Sequence, residues 1–192
     1  ASVPAAFIIP QAWRHVLERL QANGVRMTDV PNDTTLVLEV TYILSHRASE
    51  RPYEGHHYRT IQDVEVRNEE VQLFAGDKVI SIDQPAARYL LETLSPKAVD
   101  AFAAWNFFDS VLQQKEYFSA YVFEETAQTM VEEDPDWMDR LDALREANAE
   151  KGTSMGHRAQ LDVLYKASPH FEGTSNRYPV YAWPKGNGLP FE

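Results

Sequence analysis

The densest cluster of chemically capable side chains in this sequence is Tyr53-Glu54-Gly55-His56-His57. A carboxylate beside two imidazoles offers the donor types that bind a divalent metal or move a proton near neutral pH. Adjacent histidines in an extended chain point to opposite sides, so they rarely reach one ion together. The competing reading is architectural: Gly55 makes a turn, Tyr53 packs down, and Glu54 pairs with Arg51 or Arg59. Tyr53, Glu54, His56 and His57 are therefore candidate ligand-binding residues, in a long polar loop where functional residues concentrate. His15-Val16-Leu17-Glu18 matches H-x-x-E, half of a zinc ligand set. Catalytic zinc needs a third ligand and an open position for water, and His46, His56, His57, His157 and His170 stand in no second motif of that kind. The plain reading is two solvated residues flanking a helical apolar stripe.

Asp100, Asn106 and Asp109 lie in the aromatic stretch that contains Trp105, Phe107 and Phe108. A polar residue among large aromatics is most often a satisfied hydrogen-bonding group, and Asn106 is the best case. Glu116, next to Lys115, reads as a member of a local ion pair. The sequence holds no G-x-S-x-G, no P-loop and no G-x-G-x-x-G, so serine-nucleophile and nucleotide chemistries lack support. No residue qualifies as catalytic and none as a metal ligand on these patterns.

The elements that position these residues follow from periodicity. Val3 to Ile9 reads as a short strand or extended arm, and Pro10 opens a helix. Trp13, Val16, Leu17 and Leu20 share one helical face, and Asn23-Gly24 ends it. Thr34 to Leu44 reads as a strand, and Ser45 to Tyr58 as a long loop. Ile61 to Ile82 reads as two or three strands turning at Asn68-Glu69-Glu70 and at Gly76-Asp77, a meander pattern. Pro85 then starts a helix carrying Ala87, Leu90, Leu91 and Leu94, which Ser95-Pro96 breaks. Ala98 to Gln114 has apolar residues on more than one face, which predicts a central, mostly buried helix. Further helices are marked by Phe123 to Val131, by Trp137 to Leu144 after the Asp134-Pro135 cap, and by Leu161 to Tyr165. Arg177 to Trp183 reads as a terminal strand, and Pro184 to Glu192 as a loose tail.

Composition bounds the rest. The 192 residues are 44% hydrophobic and 11% aromatic, enough for a real core and against global disorder. The formal charge of −11 argues against nucleic acid or an anionic membrane as the main partner. Glu116 to Lys151 alone holds 11 acidic and 3 basic residues, so most of the negative field lies in the second half. That pattern reads first as a solvated helix surface and second as a dedicated cation or partner site. The absence of cysteine excludes disulfides, thiolate zinc sites and cysteine nucleophiles. No apolar run reaches the roughly 20 residues of a membrane span, and no signal peptide remains, so a soluble chain is expected. Residue 1 is Ala, which we read as a processed terminus or the edge of a fragment.

Pro4-Ala5-Ala6-Phe7-Ile8-Ile9-Pro10-Gln11-Ala12-Trp13, Tyr53-Glu54-Gly55-His56 and Gln84-Pro85-Ala86-Ala87-Arg88-Tyr89-Leu90 form an ordered series. It continues with Glu92-Thr93-Leu94, Trp105-Asn106-Phe107-Phe108-Asp109, Gln113-Gln114-Lys115-Glu116, Tyr121-Val122-Phe123-Glu124 and Arg177-Tyr178-Pro179-Val180-Tyr181. The series resembles the segment after the catalytic domain in large bacterial zinc carboxypeptidases of the carboxypeptidase A-like family. In that family the zinc ligands and the catalytic glutamate lie upstream, so the resemblance carries no catalytic residue onto this chain. It implies a non-catalytic C-terminal accessory domain that packs on its own upstream peptidase domain or shapes access for peptide substrates. It implies zinc in the parent and no cofactor in this chain, and a periplasmic or secreted parent. By the same resemblance His15-x-x-Glu18 is a coincidence.

The residues and the resemblance together predict one α+β domain over 1–192. It has an N-terminal helix and antiparallel β meander over 1–83, a mainly helical part over 84–176, and a terminal strand with its tail over 177–192. Two other functions stay open: a stand-alone metal-dependent hydrolase using Glu54, His56 and His57, and an acidic protein-interaction module working through the second half.

Overall fold

The computed structural model describes residues 3–186 and 188–191. Ala1 and two positions of the expected loose tail, Asn187 and Glu192, lie outside the described residues. The chain divides into two compact units, one of residues 1–113 with 175–192 and the other Gln114–Thr174.

The first unit is built on six strands: β1 (Ala6–Ile9), β2 (Thr28–Asp29), β3 (Thr34–Ala48), β4 (Arg59–Leu73), β5 (Lys78–Ser81) and β6 (Tyr181–Trp183). Helix α1 (Arg14–Ala22) follows β1, and α2 (Ala87–Leu94) follows β5. The strands form a single antiparallel sheet in the order β2-β5-β1-β6-β3-β4. This order overturns the expected meander, and with it the expected layout of an N-terminal helix followed by consecutive strands. β1 precedes the first helix, within the span Val3 to Ile9 expected to be extended, and it pairs with strands from the middle and the far end of the chain. Ala6 pairs with Ser81 on one side and with Trp183 on the other.

The apolar run of β1 explains why it is central. All four of its residues are buried, and alternate side chains enter different cores, as a pleated strand requires. Phe7 and Ile9 join α1, α2 and the aromatic stretch, with Leu20, Ile80, Leu90, Leu94, Phe108 and Tyr178 fully or almost fully buried. Ala6 and Ile8 point the other way, to Leu38, Val40, Leu73, Val79 and Tyr181. Among the described residues no helix joins that second cluster; large side chains of the sheet itself, Tyr42 and Trp183, and Leu189 close it.

β3 and β4 form one long hairpin, paired from Thr34↔Leu73 to Ala48↔Arg59 with a bulge near Ser45. Two expectations fail here. Asn68-Glu69-Glu70 makes no turn; these residues pair with Glu39, Leu38 and Val37 inside a continuous strand. The expected loop from Ser45 shrinks, because Ser45 to Ala48 continue β3. β4 is an edge strand whose Asn68 and Glu70 are exposed, so polar side chains cost little there while its backbone pairs with β3. Gly76, at φ +96°, does make the expected turn, and buried Asp77 ties it down. The Asp77 carboxylate accepts from the backbone N–H of Gln11 and of Phe74, each at 2.9 Å.

The expected buried helix over Ala98–Gln114 is not formed. The segment is a series of turns ending in a short 3₁₀ turn, Asp109–Leu112. Asn106 lies in the left-handed region at φ +67°. Its N–H reaches Ala103 O at 3.4 Å, and the Phe107 N–H reaches Phe102 O at 3.0 Å. That is the Schellman pattern, with Asn in the place glycine usually takes. Phe102 and Phe108 are buried on either side, while Trp105 is only half-buried, so Trp105 lies at the rim of the core rather than its centre.

The second unit contains α3 (Ala120–Glu133), α4 (Asp136–Glu150) and α5 (His157–Ala167), close to the expected helices. Phe123, Ala127, Leu141, Leu161, Leu164 and Tyr165 form its core. Among the described residues no helix is long and apolar enough to cross a membrane.

Candidate functional site

The Tyr53–His57 segment is the tip of the β3–β4 hairpin. Tyr53 and His56 exchange both backbone hydrogen bonds, at 2.8 and 2.9 Å. Between them Glu54 and Gly55 have φ +51° and +80°. Two consecutive positive φ values define a type I′ turn, the two-residue loop that matches strand twist. Gly55 tolerates that geometry freely; Glu54, with a Cβ, is strained by it.

Each predicted side chain then has a definite place. Tyr53 is 64% exposed, and its ring lies 6.3 Å from Trp105. Trp105 also meets His56 edge-on at 5.9 Å and Tyr58 edge-on at 5.7 Å. Glu54 is exposed, and its proposed partner Arg59 is bound elsewhere. His56 is half-buried, and its Nδ1 lies 3.2 Å from the Asn106 side-chain oxygen. Asn106 Nδ2 donates to the His57 carbonyl at 2.9 Å. The amide oxygen is therefore the acceptor, and His56 Nδ1 carries the hydrogen. His57 Nδ1 likewise donates, to the Ser49 carbonyl at 2.8 Å. One nitrogen of each imidazole is thus used to hold the loop. Asn106 is the satisfied hydrogen-bonding group expected of it.

Below the tip, Arg59 grips Asp109 with two parallel bonds, Nε to Oδ1 at 2.8 Å and Nη2 to Oδ2 at 2.7 Å. The pair is mostly shielded, and the fork geometry is the strong form of this interaction. The third arm, Nη1, donates to His46 Nδ1 at 2.9 Å. A guanidinium has no acceptor, so His46 Nδ1 must be bare and its proton sits on Nε2. Burial first, and then the Arg59 charge, hold the His46 imidazole below the usual histidine range, against a smaller opposing pull from Asp109. The Arg59 backbone N–H also donates to Ala104 O at 2.9 Å, which fastens the hairpin to the aromatic segment.

The other candidates are dispersed. His15 Nε2 donates to the Phe107 carbonyl at 3.1 Å, and its ring stacks on Phe107 at 5.5 Å. Glu18 and Asp100 are exposed. Lys115 pairs with Glu172 at 3.1 Å rather than with its neighbour Glu116. Among the described residues no group of three or more His, Asp or Glu side chains is placed to hold a metal ion. The hairpin tip is an aromatic and imidazole surface braced from behind. Sequence reasoning missed Arg59, His46 and Ser49 as its anchors. Their partners lie 8 to 50 residues away, and only the charge of Arg59 hinted at a role.

Comparison with known proteins adds one relationship. The chain is 27% identical over 105 residues to Carboxypeptidase 2 of Trichophyton tonsurans, 27% to that of Trichophyton equinum and 26% to that of Trichophyton rubrum. The aligned stretch is 55% of this chain and 19% of each relative's length, so the chain spans a small part of the proteins it matches. No family model matches the chain. No solved structure matches it. A 105-residue stretch of the chain is thus similar to part of these carboxypeptidases.

Proposed function

We propose that this chain is a non-catalytic accessory domain of a carboxypeptidase-related protein, C-terminal to the peptidase domain. The observation that carries the reading is the similarity to Carboxypeptidase 2 over 105 residues that make up only 19% of each relative. The motif series quoted above adds the bacterial metallocarboxypeptidase character, with zinc held by the upstream domain. On the same ground the parent is exported, to the periplasm or outside the cell. The domain packs on the peptidase domain or shapes the approach of peptide substrates, and the braced hairpin tip supplies contact surface for that. The rival, a metal-dependent hydrolase built on Glu54, His56 and His57, draws less support, because among the described residues no group of three or more His, Asp or Glu is placed to hold a metal ion.

The test compares the isolated chain with the full-length parent on peptides with free C-termini. We expect no release of C-terminal residues by the isolated chain and release by the parent. Chelator-sensitive turnover by the isolated chain overturns the proposal.

A further inference from the structure

The helical unit carries a cavity of about 410 Å³ between α3 and α5. Its floor is apolar: Ala127 and Val131 from α3, Leu141 from α4, and Leu161 and Leu164 from α5. Its rim on the α3 side is Glu124, Gln128 and Glu132, which recur every four residues and so stand in one row. Tyr121 precedes Glu124 by three positions, falls on the same face, and is 87% exposed. The α5 rim is His157 and Gln160, with Glu124 accepting from His157 Nε2 at 3.0 Å. Among the described residues no lysine or arginine lines the cavity. Arg145 reaches Gln160 from outside, and Asp142 engages it as well.

An apolar floor beneath a row of carboxylates selects its occupant by charge. Glu124 is held by His157 and Glu132 accepts from Gln128 Nε2 at 2.8 Å, but neither has a lysine or arginine partner, so an acidic ligand adds a like charge beside them, which is costly. A ligand with apolar side chains flanked by lysine or arginine satisfies both. The two carboxylates sit eight residues apart on a helix, about 12 Å along its axis. Two basic residues two turns apart on an opposing helix match that spacing. The segment Glu116 to Lys151, with its excess of 11 acidic over 3 basic residues, draws such a partner in from a distance. A groove between two helices is also the place where a bundle accepts a further helix. We propose that the α3–α5 groove docks a basic amphipathic helix of a partner protein, with Tyr121 as an aromatic anchor at one end. This holds whether or not the accessory-domain reading is correct.

The probe is a fluorescein-labelled 18-residue peptide with leucines at i, i+3, i+4 and i+7 spacing and lysines flanking that stripe, titrated with the full chain by fluorescence anisotropy. Saturable binding is expected in the range of about 1–100 μM, falling roughly tenfold or more for Glu124→Lys with Glu132→Lys. Tyr121→Ala is expected to weaken it about threefold or more. The control is Asp139→Lys with Glu146→Lys, two exposed positions on the α4 face away from Leu141, which changes net charge equally. That control is expected to stay within about twofold of the unmodified chain, because surface charges act locally at physiological salt. Circular dichroism checks that each variant folds. No saturation by about 1 mM overturns the proposal, as does equal weakening by the two charge-reversal pairs. Equal affinity for a scrambled peptide of the same composition overturns it too.

Discussion

Asn106 combines two properties that few residue types share. It accepts a left-handed backbone at modest cost, and its amide offers an acceptor to His56 and a donor to the His57 carbonyl. Asn106→Gly keeps the turn and loses both side-chain bonds, an expected loss of about 1–2 kcal/mol. Asn106→Ala loses the bonds and strains the backbone, for an expected loss of about 2–3 kcal/mol. Urea unfolding measures both, and an Ala variant within 0.5 kcal/mol or so of the parent chain contradicts this account of the turn. His46 supports a second expectation. Its folded-state affinity for protons is lowered by burial and by Arg59, so the unfolded chain binds the proton more readily. Stability is then fully present above the ordinary histidine range near 6.5 and declines as the pH falls below it. Unfolding midpoints between pH 7.5 and 5 are expected to drop more steeply for the native chain than for His46→Gln, which keeps an acceptor for Arg59 but cannot titrate. Parallel pH profiles refute it. The Tyr53–His57 cluster was legible as a cluster. Its bracing was not, because the Asn106 side chain comes from 49 and 50 positions away.

The hairpin tip and the aromatic segment are the two elements where local rules and the fold disagree. A type I′ turn favours Asn-Gly, yet this one is Glu54-Gly55. Glu54→Asn should therefore stabilise the chain by about 0.5–1 kcal/mol in thermal unfolding. Strain kept at an exposed turn points to a use for the side chain. If Glu54 contacts a ligand or the peptidase domain, the same substitution lowers activity of the full-length parent while raising stability. Stability raised with activity unchanged reduces Glu54 to a turn residue. In the aromatic segment, Phe108 is 2% exposed and packs edge-on against Tyr178 at 5.1 Å. Phe108→Ala should cost about 3–5 kcal/mol. Trp105→Ala, at the rim, should cost clearly less, about 1–3 kcal/mol. Denaturant titration of both variants decides; a larger loss at Trp105 places the core differently. The expected helix failed here because bulky side chains on every face suit a packed turn series as well as a buried helix. The left-handed Asn106 then closes the turn over residues 102–107 before a helix can extend.

The two compact units have separate cores, since the cluster around Leu161 shares no residue with the one around Phe108. Leu161→Ala removes packing only from the helical cluster. Hydrogen exchange should accelerate for amides of α3, α4 and α5 while the β3–β4 ladder keeps its protection. Equal acceleration in both units refutes their independence. The sheet unit, by contrast, depends on distant parts of the chain, because β6 lies between β1 and β3. Removing residues 177–192 should therefore weaken β1 and β3 as well as delete β6, read as loss of exchange protection along Ala6–Ile9. Unchanged protection there means that β1 and β5 hold without it.

The approximate positions of α1 to α5 followed from the amino-acid sequence, because a helix is specified within its own span, whereas the helix expected over Ala98–Gln114 did not form. Gly24, Pro85 and the Asp134-Pro135 pair lie at helix boundaries and apolar spacing marks the buried face, although α1 starts at Arg14 and not at Pro10. The buried nature of β1 was equally local, written in four consecutive apolar residues. Strand order was not, since hydrogen bonding between strands leaves no mark on either sequence. β6 pairs with both β1 and β3, and the chain leading into it buries Tyr178 and Val180 in one core and Tyr181 in the other. The same holds for Asn68-Glu69-Glu70, a turn by composition that became strand because β3 offered fifteen residues of partner backbone. Non-local contacts decide such cases, and they exist only once the chain has folded.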